Sequence, residues 1–229
     1  MIDIHSHTLF GIDDGARDID ESIRMVHAAA KEGIKVIIAT PHFHEHISSP
    51  EKTYENFMTL SEKTKDTGVD LKLGFEIALN PLLKDAINLI NNHSLNETQY
   101  ILVEFPYFTF SQHSYKLLDL LQKNGFKPII AHPERNGRGL RNRKIINEIK
   151  ESGSLIQVNV GSIVGAYGKS ARSTAKYIIK RKIADFAASD AHRESFYSWY
   201  GKAWQDVAKW VNEGYANKLF FENGKIILN

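Results

Sequence analysis

The chain contains no cysteine among its 229 residues. Disulfides, thiolate metal sites and a thiol nucleophile are therefore excluded, and whatever bond the protein breaks is not attacked by sulfur. Long apolar runs are missing as well. Stretches such as Val36-Ile37-Ile38-Ala39 fall far short of the about 20 residues a membrane helix needs. The N-terminus places Asp3 and His5 where a secretory signal would need a basic start and a long apolar stretch. A cytoplasmic location without stable membrane insertion is the expectation. Charge of either sign is not in excess: 29 Lys and Arg stand against 27 Asp and Glu, a formal net charge of +2. With the signs interspersed, this balance points neither to nucleic acid nor to a membrane surface. There is no Gly/Ser/Pro-rich linker, internal repeat or low-complexity tract. With 42% hydrophobic and 24% charged residues, the composition is globular, and residues 1–229 read as one domain.

What the chain does have is seven short apolar runs: Met1 to His5, Lys35 to Thr40, Asp70 to Glu76, Tyr100 to Phe105, Lys127 to His132, Leu155 to Val160 and Ala184 to Ser189. Most are nearly continuous, as expected of parallel strands buried on both faces. Helical patterns lie between them. Ile19 to Glu32 repeats apolar residues at Ile23, Val26 and Ala30 and stops at Gly33. Pro81 suits the first turn of a helix reaching Asn91, and Gly125 and Gly153 close two more. Ser195 to Gly214 reads as one long helix carrying Trp199, Trp204 and Trp210. Strict alternation of strand and helix implies an α/β fold with right-handed crossovers, either a closed barrel or an open sheet.

Six of the seven runs end in groups that bind cations: His5-Ser6-His7, His42, Glu76, Glu104, His132 and Asp190-Ala191-His192. Parallel barrel strands deliver their C-terminal ends to one rim, so these side chains would converge, and this pattern favours closure. In His5-Ser6-His7 the two imidazoles point the same way from an extended strand, and Asp190-Ala191-His192 echoes the spacing. Glu76 and Glu104 end otherwise apolar strands, where a carboxylate is costly without a cation or hydrogen-bond donors. Asp13-Asp14-Gly15 could return Asp14 to the rim from a loop. His42 follows the second run directly, whereas His44 and His46 lie farther into the loop and stay open. Imidazoles and carboxylates without sulfur suit Mn2+, Fe or Zn, and two such ions would activate water and steady the oxygens of an in-line phosphoester displacement. Arg135, just past His132, suits bidentate contact with phosphate.

Together HSH, DDG, TPHFH, Glu76, EFP, AHPERN and SDAH resemble the PHP (polymerase and histidinol phosphatase) family. The similarity is greatest to its bacterial manganese-dependent tyrosine-phosphatase branch, which serves capsule and exopolysaccharide synthesis. The resemblance runs from Met1 to about His192. It implies a distorted seven-stranded (β/α)7 barrel with two or three ions, Mn2+ foremost. The implied ligands are His5, His7, Glu76 and Asp190 at one ion, Glu76, Glu104 and His132 at a second, and Asp14, His42 and His192 at a third. It implies hydrolysis of phosphotyrosine on the tail of a bacterial tyrosine kinase, with Arg135 on the phosphate. The family's second arginine lies several residues beyond SDAH, whereas here Arg193 follows at once; Arg193 is the candidate for that role. Phe43 and the run Phe105 to Phe110 are candidates to face the substrate ring. Competing readings are a small-metabolite phosphatase acting on histidinol phosphate, an amidohydrolase, which would want a lysine where Glu104 stands, and a module that binds a phosphorylated tail without hydrolysing it.

Overall fold

A computed structural model describes residues 1–43, 50–79, 93–105, 112–136 and 139–228. The expected helix from Pro81 to Asn91, the loop residues His44 and His46, and the aromatic run from Pro106 to Phe110 lie outside the described residues. Among the described residues there are nine parallel strands: β1 (Ile2–Ser6), β2 (Val36–Ala39), β3 (His42–Phe43), β4 (Asp70–Leu73), β5 (Glu76–Ala78), β6 (Tyr100–Glu104), β7 (Lys127–Ile130), β8 (Leu155–Asn159) and β9 (Phe186–Ala188). They form two sheets, ordered β1-β2-β4 and β3-β5-β6-β7-β8-β9.

The α/β fold with parallel strands is as expected, but where one closed seven-stranded barrel was expected the described residues form two sheets. The run Asp70 to Glu76 is divided between β4 and β5, and β3 is a separate short strand. Among the described residues the ladder does not close: β1 meets the far end of the second sheet through a single bridge, Ser6 to Ala191. The breaks have local causes. Pro41 has no N–H to give a ladder, and Gly74 lies so close to Leu95 that a Cβ there would sit 2.6 Å from Leu95 Cδ2. Backbone bonds still cross both gaps, from Gly74 N to Ala39 O (2.9 Å) and from Glu76 N to Pro41 O (3.1 Å).

Sequence neighbours on the strands pack into opposite layers, since successive side chains alternate faces. Ile37, Val103, Ile130 and Ala187 belong to the large core under the helices. Ile38, Leu102, Ile129 and Ala188 join Ile4 and Ile227 in a smaller cluster on the other face. This double burial accounts for the unbroken apolar runs. The helices are α1 (Ile19–Lys31), α2 (Pro50–Thr64), α3 (Gln112–Lys123), α4 (Gly139–Glu151), α5 (Val160–Val164), α6 (Gly168–Lys180), α7 (Tyr200–Trp210) and α8 (Glu213–Asn217). α1 is capped by Asp18, whose carboxylate accepts from Glu21 N at 2.8 Å.

The segment expected as one helix from Ser195 to Gly214 is a 3-10 stretch (Glu194–Trp199) followed by α7 and α8. Val211 leaves helical geometry (φ −130°, ψ −80°), and Asn212 starts α8 by accepting from Tyr215 N at 2.8 Å. Among the described residues no helix is long and apolar enough to cross a membrane.

Candidate metal centre

The strand ends and the Asp13-Asp14 turn bring together the nine imidazoles and carboxylates of the implied ligand set. His5, His7, Glu76 and Asp190 offer ligand atoms within 4.8 Å of one another, as do His42, Glu76 and Glu104, and His7, Asp14, His42 and His192. The grouping departs in detail from the implied one: His7 also reaches the Asp14 group, and His42 stands with Glu76 and Glu104. His132 contacts Glu76, with Nε2 3.0 Å from Oε1.

Several backbone features aim these groups. The β1 register shifts between Asp3 and Ser6, a bulge of the kind that redirects side chains, and both His5 and His7 face Glu76. His132 and Asp190 adopt left-handed backbone conformations (φ 33° and 51°), uncommon without glycine and concentrated at functional sites. Gly15 lets the Asp13-Asp14 turn lie on β1, because a Cβ there would fall 2.1 Å from His7 O.

Glu76, 1% exposed, occupies the centre. Its Oε2 lies 3.2 Å from Nε2 of His5 and of His7 and 3.3 Å from Nδ1 of His42, yet it accepts no well-directed hydrogen bond. The tautomers sharpen this. His5 Nδ1 donates to Gln157 Oε1 (3.1 Å), and that oxygen also accepts from His132 N (3.2 Å), which fixes the amide. His7 Nδ1 donates to Asp13 Oδ2 (2.7 Å). With both Nδ1 atoms protonated, the two Nε2 atoms face each other at 3.2 Å. Two N–H groups cannot meet head-on at that distance, so at least one nitrogen presents a bare lone pair beside carboxylate oxygens. An orphaned carboxylate oxygen among such nitrogens fits a divalent cation, with Asp13 and Gln157 as the outer groups that orient imidazole ligands.

The charges tell the same story. Burial opposes ionisation of Glu76, yet the surrounding imidazoles hold its carboxyl well below the usual range. Burial likewise opposes a charge on His132, but the bond to Glu76 and the Asp190 charge push it up to about 9. Glu104 is pushed up to about 7, first by burial and then by Glu76. Imidazoles that retain protons beside ionised carboxylates form a site where protons and cations compete.

Above the cluster lies a cavity of about 360 Å³ with Phe105, Tyr167 and Phe196 in its wall and Arg135 at its edge. Arg135 Nη1 donates to Asp190 Oδ2 (2.6 Å), and its guanidinium stacks 4.4 Å from the centre of the Tyr167 ring. The neighbouring Glu134 does not pair with it and instead accepts from Asn159 N (3.0 Å). Arg193 is not brought to the cavity: it is exposed, and its charge is felt at Glu21 on α1. Phe43 packs on Phe75 and His93, and Phe105 alone of the suggested aromatics lines the cavity among the described residues.

Sequence reasoning passed over Asp13, Gln157, Asn159, Tyr167 and Phe196. Gln157 and Asn159 did carry a signal, as two amides alternating within an apolar strand; Asn159 Nδ2 donates to Asp190 Oδ2 at 2.8 Å. Nothing in sequence marks Tyr167 or Phe196.

Parallel strands that gather such groups at their C-terminal ends, beneath a cavity, define an α/β protein of the metal-dependent hydrolase type. A histidinol phosphate phosphatase from Lactococcus lactis, solved with zinc, histidinol and phosphate, shares the fold alone, at a TM-score of 0.57 and 12% identity over 90% of this chain and 93% of that one. The chain matches the family model for capsular polysaccharide synthesis, CpsB/CapC, over residues 1–229, and it belongs to that family. The tyrosine-protein phosphatase YwqE of Bacillus subtilis is 35% identical over 84% of this chain and 77% of its own length. A chain from the crystal structures of YwqE and Streptococcus pneumoniae CpsB, described as unique metal-dependent tyrosine phosphatases, superposes with a TM-score of 0.90. It is 33% identical, with 100% of this chain and 94% of that chain covered.

Proposed function

We propose that this protein is a metal-dependent protein-tyrosine phosphatase, a single catalytic domain that hydrolyses phosphotyrosine without a covalent sulfur intermediate. The observation that carries the reading is Glu76, a buried carboxylate facing ring nitrogens of four histidines, at the floor of a cavity with aromatic walls. The proposed ligands are His5, His7, Asp14, His42, Glu76, Glu104, His132, Asp190 and His192, holding two or three ions, with Mn2+ the first choice and Fe or Zn the alternatives. Bound divalent ions supply a water of lowered pKa and neutralise the phosphate oxygens.

The chain's own residues do the rest. Asp13 and Gln157 hold two imidazoles in one tautomer each. Arg135, stacked on Tyr167, offers its guanidinium to the phosphate, and Phe105 and Phe196 enclose an aryl ring while excluding water. We assign no catalytic role to the exposed Arg193. The two sheets are read as arcs of one distorted seven-stranded barrel, with β2 and β3 as one interrupted strand and β4 and β5 as another. The proposed partner is the phosphotyrosine tail of a bacterial tyrosine kinase in capsule synthesis, in the cytoplasm.

The test is elemental analysis of the purified protein together with turnover of a phosphotyrosine peptide and of histidinol phosphate under manganese, iron and zinc. Preference for the peptide, lost on chelation and restored by metal, is expected. Preference for histidinol phosphate overturns the substrate assignment.

A further inference from the structure

The near-neutral net charge conceals a division. From Ser152 to Ala184 the chain has no aspartate or glutamate, and it carries Lys169, Arg172, Lys176, Lys180, Arg181 and Lys182. Four of these, Lys169, Arg172, Lys176 and Lys180, follow 3-4-4 spacing on α6, which places them along one face of the helix. All four are exposed. Only Arg172 of the four has a carboxylate partner among the described residues, Asp206 at 3.4 Å.

Two neighbours extend the surface. On α4, Arg143 donates to Ser173 Oγ (3.1 Å) and lies over the Tyr177 ring (4.8 Å). On the other side, the Trp210 ring of α7 stands 5.4 Å from Lys176 Nζ and 6.0 Å from Arg172 Cζ. Lys169, Arg172, Ser173, Lys176 and Trp210 line a shallow depression of about 410 Å³.

A merely solvated helix face mixes its signs, as α2 does with Glu51, Lys52, Glu55, Glu62 and Lys63. Like charges repeated at i,i+4 work against the helix that carries them. The row on α6 also starts at the cavity: Tyr167, in the cavity wall, lies two residues before Lys169. From Lys169 to Lys180 the helix advances about 16 Å, the reach of about five extended peptide residues.

We infer that the α6 cation row, with Trp210 beside it, is a docking surface for acidic residues flanking the phosphotyrosine, so that the preferred substrates are acidic phosphopeptides. Attraction between unlike charges favours encounter and binding of such a segment, and salt weakens it. The inference rests on the phosphotyrosine reading above.

The test uses the manganese-loaded protein and two phosphotyrosine peptides that differ only in flanks of glutamate or of serine, with p-nitrophenyl phosphate as a substrate lacking flanks. At low salt, kcat/KM for the acidic peptide is expected to exceed the neutral one about tenfold, the difference shrinking as ionic strength rises. Combining Lys169→Gln, Lys176→Gln and Lys180→Gln should abolish the preference through KM, leaving kcat and p-nitrophenyl phosphate turnover unchanged. The corresponding three Lys→Arg changes should retain it.

Equal efficiency on the two peptides, or a preference that survives the Gln variant, overturns the inference alone. Flotation with phosphatidylglycerol vesicles without a peptide preference would assign the surface to membrane and overturn it as well. Hydrolysis of neither peptide defeats the phosphatase reading and the inference together.

Discussion

Asp13→Asn isolates the claim that the cluster is built to hold cations. The Asp13 side chain is 1% exposed and serves three donors: Oδ2 accepts from His7 Nδ1 (2.7 Å) and His42 N (2.9 Å), and Oδ1 from Gly15 N (2.9 Å). Burial is the largest single influence and disfavours its charge, but the His7 bond and charge together with the Gly15 and His42 N–H donors outweigh it and lower its pKa. Asparagine keeps the shape and offers one accepting oxygen. Its amide NH2 must then face at least one N–H, and facing Gly15 costs least because only one donor loses its partner. A buried unsatisfied donor costs about 1–3 kcal/mol, or about 2–4 °C of melting temperature per kcal/mol in a chain of this size. The bond that remains on His7 is no longer charge-assisted, so its Nε2 becomes a weaker donor to a metal, and loss of such an outer partner lowers metal affinity by about 10–100-fold.

The assay is manganese titration of metal-free wild type and variant by calorimetry, with thermal melts of both in chelator. The expected outcome is a right-shifted metal isotherm and a modest fall in melting temperature, with activity largely recovered at saturating manganese. Metal affinity equal to wild type, despite the fall in melting temperature, would refute the assignment of His7 Nε2 as a ligand and leave Asp13 as packing.

Glu76→Gln removes the charge on which four imidazoles converge, so metal affinity should fall by more than the ~100-fold typical of losing an outer partner; elemental analysis showing full occupancy would remove Glu76 from the proposed ligands. Arg135→Ala should reduce kcat/KM on a phosphotyrosine peptide about 100-fold, in the range for loss of one preorganised charge donor. Its metal content should hold, because Arg135 engages Asp190 Oδ2 while Oδ1 faces His5 and His7; unchanged kinetics would remove Arg135 from the reaction. Gly15→Ala forces a methyl group into His7 O and should destabilise the fold by about 1–3 kcal/mol or more, read as a lower denaturation midpoint; a wild-type midpoint would show that the Asp13-Asp14 turn shifts freely.

The strands and the chemical groups at their ends were legible because both leave residue-type signatures: double burial demands unbroken apolar runs, and a carboxylate ending such a run demands a cation or donors. Orientation leaves no such mark. Asp13 and Asp14 are adjacent acids, and only the fold decides that Asp13 orients His7 while Asp14, 70% exposed, reaches His192 (3.2 Å). Arg193 follows SDAH at once, earlier than the family's second arginine, and the chain enters the 3-10 stretch there with the Arg193 side chain exposed to solvent. The basic row on α6 was hidden by compensation, since acids elsewhere cancel it in the total. Tyr167 and Phe196 reach the cavity from segments after β8 and β9, contacts that no local pattern encodes.

The broken ladder, which the sequence did not reveal, is tied to the site. Were β2 and β4 continuous past Ala39 and Leu73, the residues that follow would remain in the pairing of the first sheet. Instead the chain steps at Thr40-Pro41 and again at Gly74-Phe75 into the second sheet, where His42 and Glu76 are direct register partners and Glu76 is in turn opposite Leu102 on β6. That step sets the His42 ring against both carboxylates, 3.3 Å from Glu76 and 3.5 Å from Glu104. Proline and glycine at the two joints are therefore part of the centre's construction, even though neither is among its proposed ligands. Filling the notch beneath Leu95 with Gly74→Ala should displace Glu76 and weaken metal binding, with only the melting temperature changing if the joint were a matter of packing alone.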